Sequence, residues 1–376
     1  MARPLVTRNR HAPSLPSTNR SSRRWRRNIA CGQPWLKKWK RRKKRGTMTM
    51  RVALGIPPIG LPMDFCTEVV RRAEDRGFEA ISVGEAWGIE TCTMVGALLA
   101  RTHRIHIGTG IVSLYLRPPT LTAMQAATLD IIAPGRARLG LGVSTQNINA
   151  FHGVPWDHPV ARTREYVAIL RRVLAGERVT HDGQFYRPRG FQLSMAPPKR
   201  MPIYLAAVNP KMLQLAGEIA DGVLLAWLPA RQVPDSLAEI AKGAARVGRS
   251  LADIDIGCYI HTAVTSNREQ TLQQLRRVLV GYCQANTYIQ GFRHFGYGDI
   301  LEEVHHHWKA GDRPGAEAAI PERMIEELYV FGTADECRAH IDRFREGGIQ
   351  LPVVAVPPSS RMPDDAFAQL VDTFAQ

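Results

Sequence analysis

No run of about twenty apolar residues occurs in this 376-residue chain, so no helical membrane span is expected. Cysteine is scarce. The six, Cys31, Cys66, Cys92, Cys258, Cys283 and Cys337, are scattered, and none stands at the short paired spacing of a metal or redox motif. That pattern points to a reducing, cytoplasmic setting. Familiar catalytic signatures are missing too. The chain has no H-E-x-x-H, no Walker loop and no visible Ser-His-Asp order. "GTGIVS" and "GLGVS" are only fragments of a dinucleotide fingerprint. Acidic residues are absent from the first fifty positions, which hold 16 Lys or Arg. The chain has 50 basic residues in all, so the body keeps 34, against all 34 of the acidic ones. The net charge of +16 therefore belongs to one arm, and no nucleic-acid partner is expected for the neutral body.

The arm, residues 1–47, has no apolar period and cannot bury a core. Met48 and Met50 stand just before "RVALGI", a clean first strand. The arm reads as the product of a start placed too far upstream. A basic nucleic-acid or membrane arm carrying Trp25, Trp35 and Trp39 is the alternative, and a targeting segment a weaker one. The remaining chain, 48–376, is 44% hydrophobic and 22% charged when counted with the arm, which suits a large globular domain.

From Arg51 onward, short apolar runs alternate with helical periods. Strands are expected at 51–56, 79–85, 104–111, 136–143, 201–208, 221–228, 253–264 and 326–332. Each is followed by a helix, and the tail adds a further strand and helix. In the helix 119–132, Leu121, Met124, Ala127 and Ile131 share one face. Segment 177–198 breaks the rhythm, with Asp182-Gly183 as a hairpin signal, and 283–325 reads as a second, irregular insertion. Eight βα units in order favour a (β/α)8 TIM barrel, with insertions after strands four and seven. Chemistry then belongs at the C-terminal strand ends.

Those ends are poor in acids and bases and rich in Gly, Ala, Ser and Thr. Such a surface admits a large flat ligand close to backbone, leaving the chemistry to a cofactor. At "AAVNPKM" a strand meets a helix whose first N–H groups can take an anion, with Lys211 nearby; an ordinary cap at Asn209 is the plain alternative. Glu85, beside Trp87, could bond a cofactor or donate a proton, and is otherwise a solvated rim carboxylate. Trp87, His152, Trp156, His158, Trp227 and His261 are candidate lining residues, with a plain helix start as the alternative for His158. His305, His306 and His307 cannot share one ion from a helix, so no metal site is expected.

The ordered pieces "RIHIGTGIVSLYLRPPTLTAMQAATLD", "GRARLGLGV", "HPVARTREYVAILRRVLAGE", "PIYLAAVNPKMLQLAGEIADGVLLAW" and "VFGTADECRAHIDRFREGGI" resemble the bacterial-luciferase-like superfamily. The resemblance spans about residues 50–355 and is closer to the branch that uses the deazaflavin coenzyme F420. It implies an enzyme that moves a hydride between F420 and a small organic substrate. An FMN-dependent monooxygenase using reduced flavin and oxygen is the alternative. It also implies a homodimer. It places a non-proline cis peptide at Gly110–Ile111, pressing on the ring, with the Thr109 hydroxyl offered to it. It puts Glu85 near the cofactor as the catalytic candidate. Ser144, Thr145 and Asn147 then line the cofactor groove, and Ala207, Val208 and Asn209 form the phosphate site. Ala86 stands where some relatives have a catalytic histidine, and Val143 or Ser144 where they have a glutamate. A sugar-phosphate dehydrogenase of that kind is therefore not expected.

Overall fold

The computed structural model describes residues 50–197, 200–358 and 365–376. The basic arm expected at 1–47 lies outside the described residues.

Eight parallel strand positions close into a ring with helices between them. The strands are β1 (Ala53–Ile56), β2 (Ala80–Val83), β3 (His106–Thr109), β4 (Val112–Ser113), β5 (Ala137–Gly142), β6 (Ile203–Ala206), β7 (Gly222–Ala226), β8 (Asp255–Val264), β9 (Val330–Gly332) and β10 (Leu351–Ala355). The third position is split into β3 and β4, which both pair with β5. Between the two pieces the Gly110–Ile111 peptide bond is cis. The ring closes where β10 pairs with β8 on one side and β1 on the other.

The expected strand at 326–332 is not the eighth barrel strand. Glu322–Leu328 is helical, and β9 pairs only with the outer end of β8, at Thr262–Val264. The eighth position belongs to β10, taken from the tail segment. The reason is the pairing, since β10 has a parallel partner on each side and β9 only one. Leu351–Ala355 is buried along its whole length, as a strand covered on both faces must be.

The insertion after the seventh barrel strand is not irregular. It forms helices Asn286–His294, Gly298–Lys309, Arg313–Ala318 and Glu322–Leu328. They bury Phe292, Tyr297, Leu301, Val304, Met324 and Ile325 in a core continuous with the barrel's. The segment at 177–198 is a hairpin, joined by an antiparallel bridge between Val179 and Phe191. Glu165 pins it by accepting from the Phe185 and Tyr186 N–H groups.

The face expected on helix Pro119–Ile132 is divided, with Ala127 buried and its three larger residues outside. Leu121, Met124 and Ile131 are 41%, 49% and 53% exposed. Ala123, Ala126 and Ala127 are the residues turned inward. Small residues let the helix sit close to its neighbours Thr91–Leu99 and Pro159–Leu174, and the bulkier side chains are left outside. No helix among the described residues is long and apolar enough to cross a membrane.

The N-terminal end of the barrel is sealed by charge. Arg51 donates to both Glu79 oxygens, at 2.5 and 2.8 Å, and to both Asp255 oxygens, at 2.7 and 2.8 Å. Arg138 donates to Glu79 at 2.7 Å, and the Tyr204 hydroxyl donates to Asp255 at 2.8 Å. Burial works to raise the Glu79 carboxyl, but the bonds from Arg51 and Arg138 outweigh it and bring it down to about 2. The folded value lies below the ordinary 4.5, so the contribution is complete above that pH and is lost as the pH falls toward 2. It is on the order of 3 kcal/mol. Glu79→Gln is therefore expected to lower the unfolding free energy at pH 7 but hardly at pH 2. Urea denaturation at both pH values checks this, and an equal loss at both would refute it.

Candidate functional site

At the opposite end of the barrel, β3 meets β5 so closely that a side chain at Gly140 has no room. A Cβ there would stand 2.1 Å from the Thr109 carbonyl oxygen. The Thr109 hydroxyl fills the same junction. It donates to the Gly140 carbonyl at 2.7 Å and accepts from the Gly140 N–H at 2.8 Å. Its single proton is spent on that strap.

Gly110 is required for a related reason. A Cβ there would lie 1.8 Å from Ser82 Oγ and 2.3 Å from the Tyr259 hydroxyl. Tyr259 in turn donates to the Ser82 carbonyl at 3.1 Å. Its ring and Ile111 pack against the barrel's inner apolar cluster of Ala53, Ala80, Tyr204, Leu224, Leu351 and Val353. Gly110, Ile111 and Tyr259 all remain partly exposed at the mouth, as do Ala206 and Ala226. The result is a floor of backbone and small side chains, resting on a tyrosine.

Glu85 and Arg117 stand beside this floor. Both Glu85 oxygens accept from Arg117, at 2.6 and 2.8 Å, and the two side chains are only 7% and 9% exposed. Burial opposes the Arg117 charge, but the Glu85 bonds more than offset it and hold the guanidinium above its usual value. Arg117 also reaches Glu90 at 3.1 Å. Glu90 caps helix Thr91–Leu99 by accepting from the Cys92 and Thr93 N–H groups. Glu85 is thus neither a solvated rim carboxylate nor a free acid. It anchors the loop after β2 to the loop after β4.

The loop after β5 begins at Ser144, whose φ of 55° is uncommon for a residue with a side chain. Thr145 caps helix Gln146–Phe151, accepting from the Ile148 N–H. Asn147 is exposed on that helix. Asn149, for which the sequence suggested no role of its own, is fully buried. It donates to the Val143 carbonyl and accepts from the Ser113 hydroxyl, both at 3.3 Å. The Trp156 indole N–H donates to the same carbonyl at 3.0 Å. His152 meets the Ala86 carbonyl at 2.9 Å, and the Trp87 and Phe151 rings touch edge to face, so the two loops are joined.

After β6, the Ala207 N–H is used by the Leu224 carbonyl. Among the described residues, the N–H groups of Val208, Asn209 and Lys211 have no backbone acceptor, at the start of helix Pro210–Ile219. The Asn209 side chain does not cap that helix; it donates to the Thr287 carbonyl at 3.4 Å. Ordinary capping is therefore not what these donors serve, and an anion suits them.

The β7 and β8 ends carry aromatic residues. Trp227 sits at φ 55°, a marked outlier for so bulky a residue. Its ring meets His261 at 4.6 Å, Tyr282 at 3.9 Å, Tyr288 at 6.0 Å and Tyr329 at 5.4 Å between centroids. Burial pushes the His261 imidazole down to about 4, against a bond to the Val356 backbone, so it is neutral at pH 7. His305 bonds the Cys283 carbonyl and His307 bonds Asp312. No group of three His, Cys, Asp or Glu among the described residues could hold a metal ion.

The model of the luciferase-like monooxygenase family matches residues 46–351. The chain belongs to that family. A Mycobacterium tuberculosis protein classed as a coenzyme F420-dependent oxidoreductase is similar to it, 32% identical over 323 residues, which are 79% of this chain and 92% of the relative. The 5,10-methylenetetrahydromethanopterin reductase of Archaeoglobus fulgidus is 28% identical over 294 residues, 77% of this chain and 88% of the relative. The solved F420-dependent tetrahydromethanopterin reductase of Methanopyrus kandleri shares the fold. Its TM-score is 0.75 at 24% identity, over 88% of this chain and 98% of that one.

Within this luciferase-like barrel, the structure brings Gly110, Ile111, Ser144, Val208 and Asn209 to the rim and floor of one mouth. Thr109 and Thr145 lie there too, with their hydroxyls committed to the strap and the cap. No spacing rule points to Tyr259 or Arg117, because each acts through a residue distant in sequence. Alternation along β8 would have placed Tyr259 inside, since it shares a face with Gly257 and His261.

Proposed function

We propose that this luciferase-like protein is a coenzyme F420-dependent oxidoreductase, moving a hydride between the deazaflavin and an organic substrate. The observation that carries the reading is the bare floor at Gly110–Ile111, where neighbouring atoms leave no space for a Cβ. The relative classed as F420-dependent, 32% identical across 92% of its length, supports it. When bound, the deazaflavin supplies a two-electron hydride carrier. The chain's own residues do the rest. Gly110 and Ile111 bear on the flat ring, with Tyr259 stiffening them from below. The free N–H groups of Val208 and Asn209 hold the phosphate, and Ala207 keeps their strand in register. Ser144, Thr145 and Asn147 form the groove wall. Glu85 fixes Arg117 and with it the loop after β4.

Titration of the purified full-length protein with F420 and, separately, with FMN tests this. Expected is saturable quenching of F420 fluorescence with at least tenfold weaker binding of FMN. Preference for FMN would move the protein to reduced-flavin monooxygenation, and binding of neither would sink the reading.

A homodimer belongs to the same proposal. Leu121, Met124, Ile131 and Ile132 make one exposed apolar face on helix Pro119–Ile132, and a second copy of the chain suits it. A cytoplasmic location is proposed too, since the five described cysteines are buried free thiols.

A further inference from the structure

Helix Gln146–Phe151, in the loop after β5, buries one residue, and it is the amide Asn149 rather than an apolar side chain. Packing alone would be served better by leucine or valine, and an amide taken out of water is costly unless its bonds are made. Its two bonds lead to two different strands. The Asn149 oxygen accepts from the Ser113 hydroxyl, on β4, and its nitrogen donates to the carbonyl of Val143, the first residue beyond β5, both at 3.3 Å. The same hydroxyl accepts from the Tyr115 N–H at 3.3 Å.

β4 needs such support. It is two residues long, and among the described residues it pairs with β5 alone, Val112 opposite Leu141 and Ser113 opposite Gly142. The last backbone bond of this pairing runs from the Leu114 N–H to the Gly142 carbonyl at 3.0 Å. On the other edge, where a neighbouring strand would accept, the Ser113 N–H meets the Glu85 carboxylate at 3.4 Å. Ile111 comes just before this short strand. Its side chain lies against the bare backbone of β5, so that a Cβ at Gly142 would stand 2.9 Å from Ile111 Cδ1. The height of the floor at Ile111 therefore depends on what keeps β4 against β5.

We propose that Asn149 is a positioning residue for this floor: by bonding Ser113 and Val143 at once, it continues the β4–β5 pairing past the last backbone bond and holds Ile111 in place. A satisfied buried polar link fixes one arrangement, where an apolar contact would allow sliding. The Val143 carbonyl also accepts from the Trp156 indole. It stays paired when Asn149 is replaced, and what is lost is the tie. The effect on ring binding rests on the deazaflavin reading above; the tie itself does not.

Hydrogen exchange of the full-length protein, without cofactor, tests the tie. The Leu114 amide reports on the β4–β5 pairing, and the amides of 146–154 report on the helix itself. Asn149→Leu keeps the branching and removes both bonds. In it the Leu114 amide is expected to exchange roughly tenfold faster, the loss of about one net hydrogen bond. Ser113→Ala leaves Asn149 on Val143 and is expected to do the same, and the double variant no more than either. Faster exchange confined to 146–154, an unchanged Leu114 amide in Ser113→Ala, or two effects that multiply in the double variant would overturn the proposal. If Asn149→Leu does not fold, Ser113→Ala decides alone. Titration of the same variants with F420 reads the consequence. Affinity is expected to fall about tenfold in each single variant and no further in the double. Unchanged affinity beside faster exchange would overturn the role in the floor. A wild-type protein that binds no F420 would sink the deazaflavin reading and leave the exchange result to decide the tie.

Discussion

Gly110→Ala should abolish most activity while leaving a folded barrel. The new methyl would meet Ser82 Oγ at 1.8 Å and the Tyr259 hydroxyl at 2.3 Å. Ser82 can turn its hydroxyl away at little cost. Tyr259 cannot follow, because its ring is held among the side chains that fill the barrel. The floor must then rise or tilt by a sizeable part of an ångström. Overpacking of this kind costs about 1–3 kcal/mol, and a misplacement of that size can cost roughly hundredfold in rate. The check is turnover with F420 alongside thermal unfolding of the variant. Adding Ser82→Ala to Gly110→Ala should restore little, whereas adding Tyr259→Phe, which removes the oxygen in contact, should restore more. If Ser82→Ala alone gave full recovery, the tyrosine would not be what supports the floor.

The second large effect concerns the Glu85–Arg117 pair. Arg117→Met would leave a carboxylate that is 7% exposed facing only two long contacts, from the Thr91 and Ser113 N–H groups at 3.4 Å. Breaking a buried pair in this way costs about 3–5 kcal/mol. Glu85→Gln should cost less, because Arg117 keeps Glu90 at 3.1 Å. The double change Glu85→Leu with Arg117→Met should regain most of the loss, since no uncompensated charge remains. Denaturant unfolding of the three variants measures this. A double variant as unstable as Arg117→Met alone would show that packing, rather than an unpaired charge, sets the cost.

Much of this architecture was legible in the residues. The alternation of apolar runs and helical periods gave the barrel, and the glycines around Thr109 marked the place where backbone is bare. The reason for Gly110 was not legible. It comes from Tyr259, about 150 residues away in the chain, and only closure of the ring brings the two together. Glu85 shows the same limit, since nothing near it in sequence names Arg117 as its partner. The eighth strand was misassigned because "EELYVFG" and "IQLPVVAV" are both apolar runs of strand length. Pairing decides between them, and pairing is not local. On helix Pro119–Ile132 the shared apolar face did not say which of its residues would be buried. Close packing favoured alanine there.

The position of β10 also bears on how the protein comes to exist. Ala53 pairs with Val353, and Leu351 with Gly257, so the seam of the ring joins the beginning of the domain to its last few dozen residues. During synthesis, β1 and β8 leave the ribosome with one edge each unpaired and wait for most of the remaining chain. Contacts of such long separation slow the search for the native state, and open strand edges are where chains pair wrongly with one another. A product truncated before residue 351 would lack the seam altogether, so quality control has a late and sharply defined point at which to distinguish finished barrels from unfinished ones.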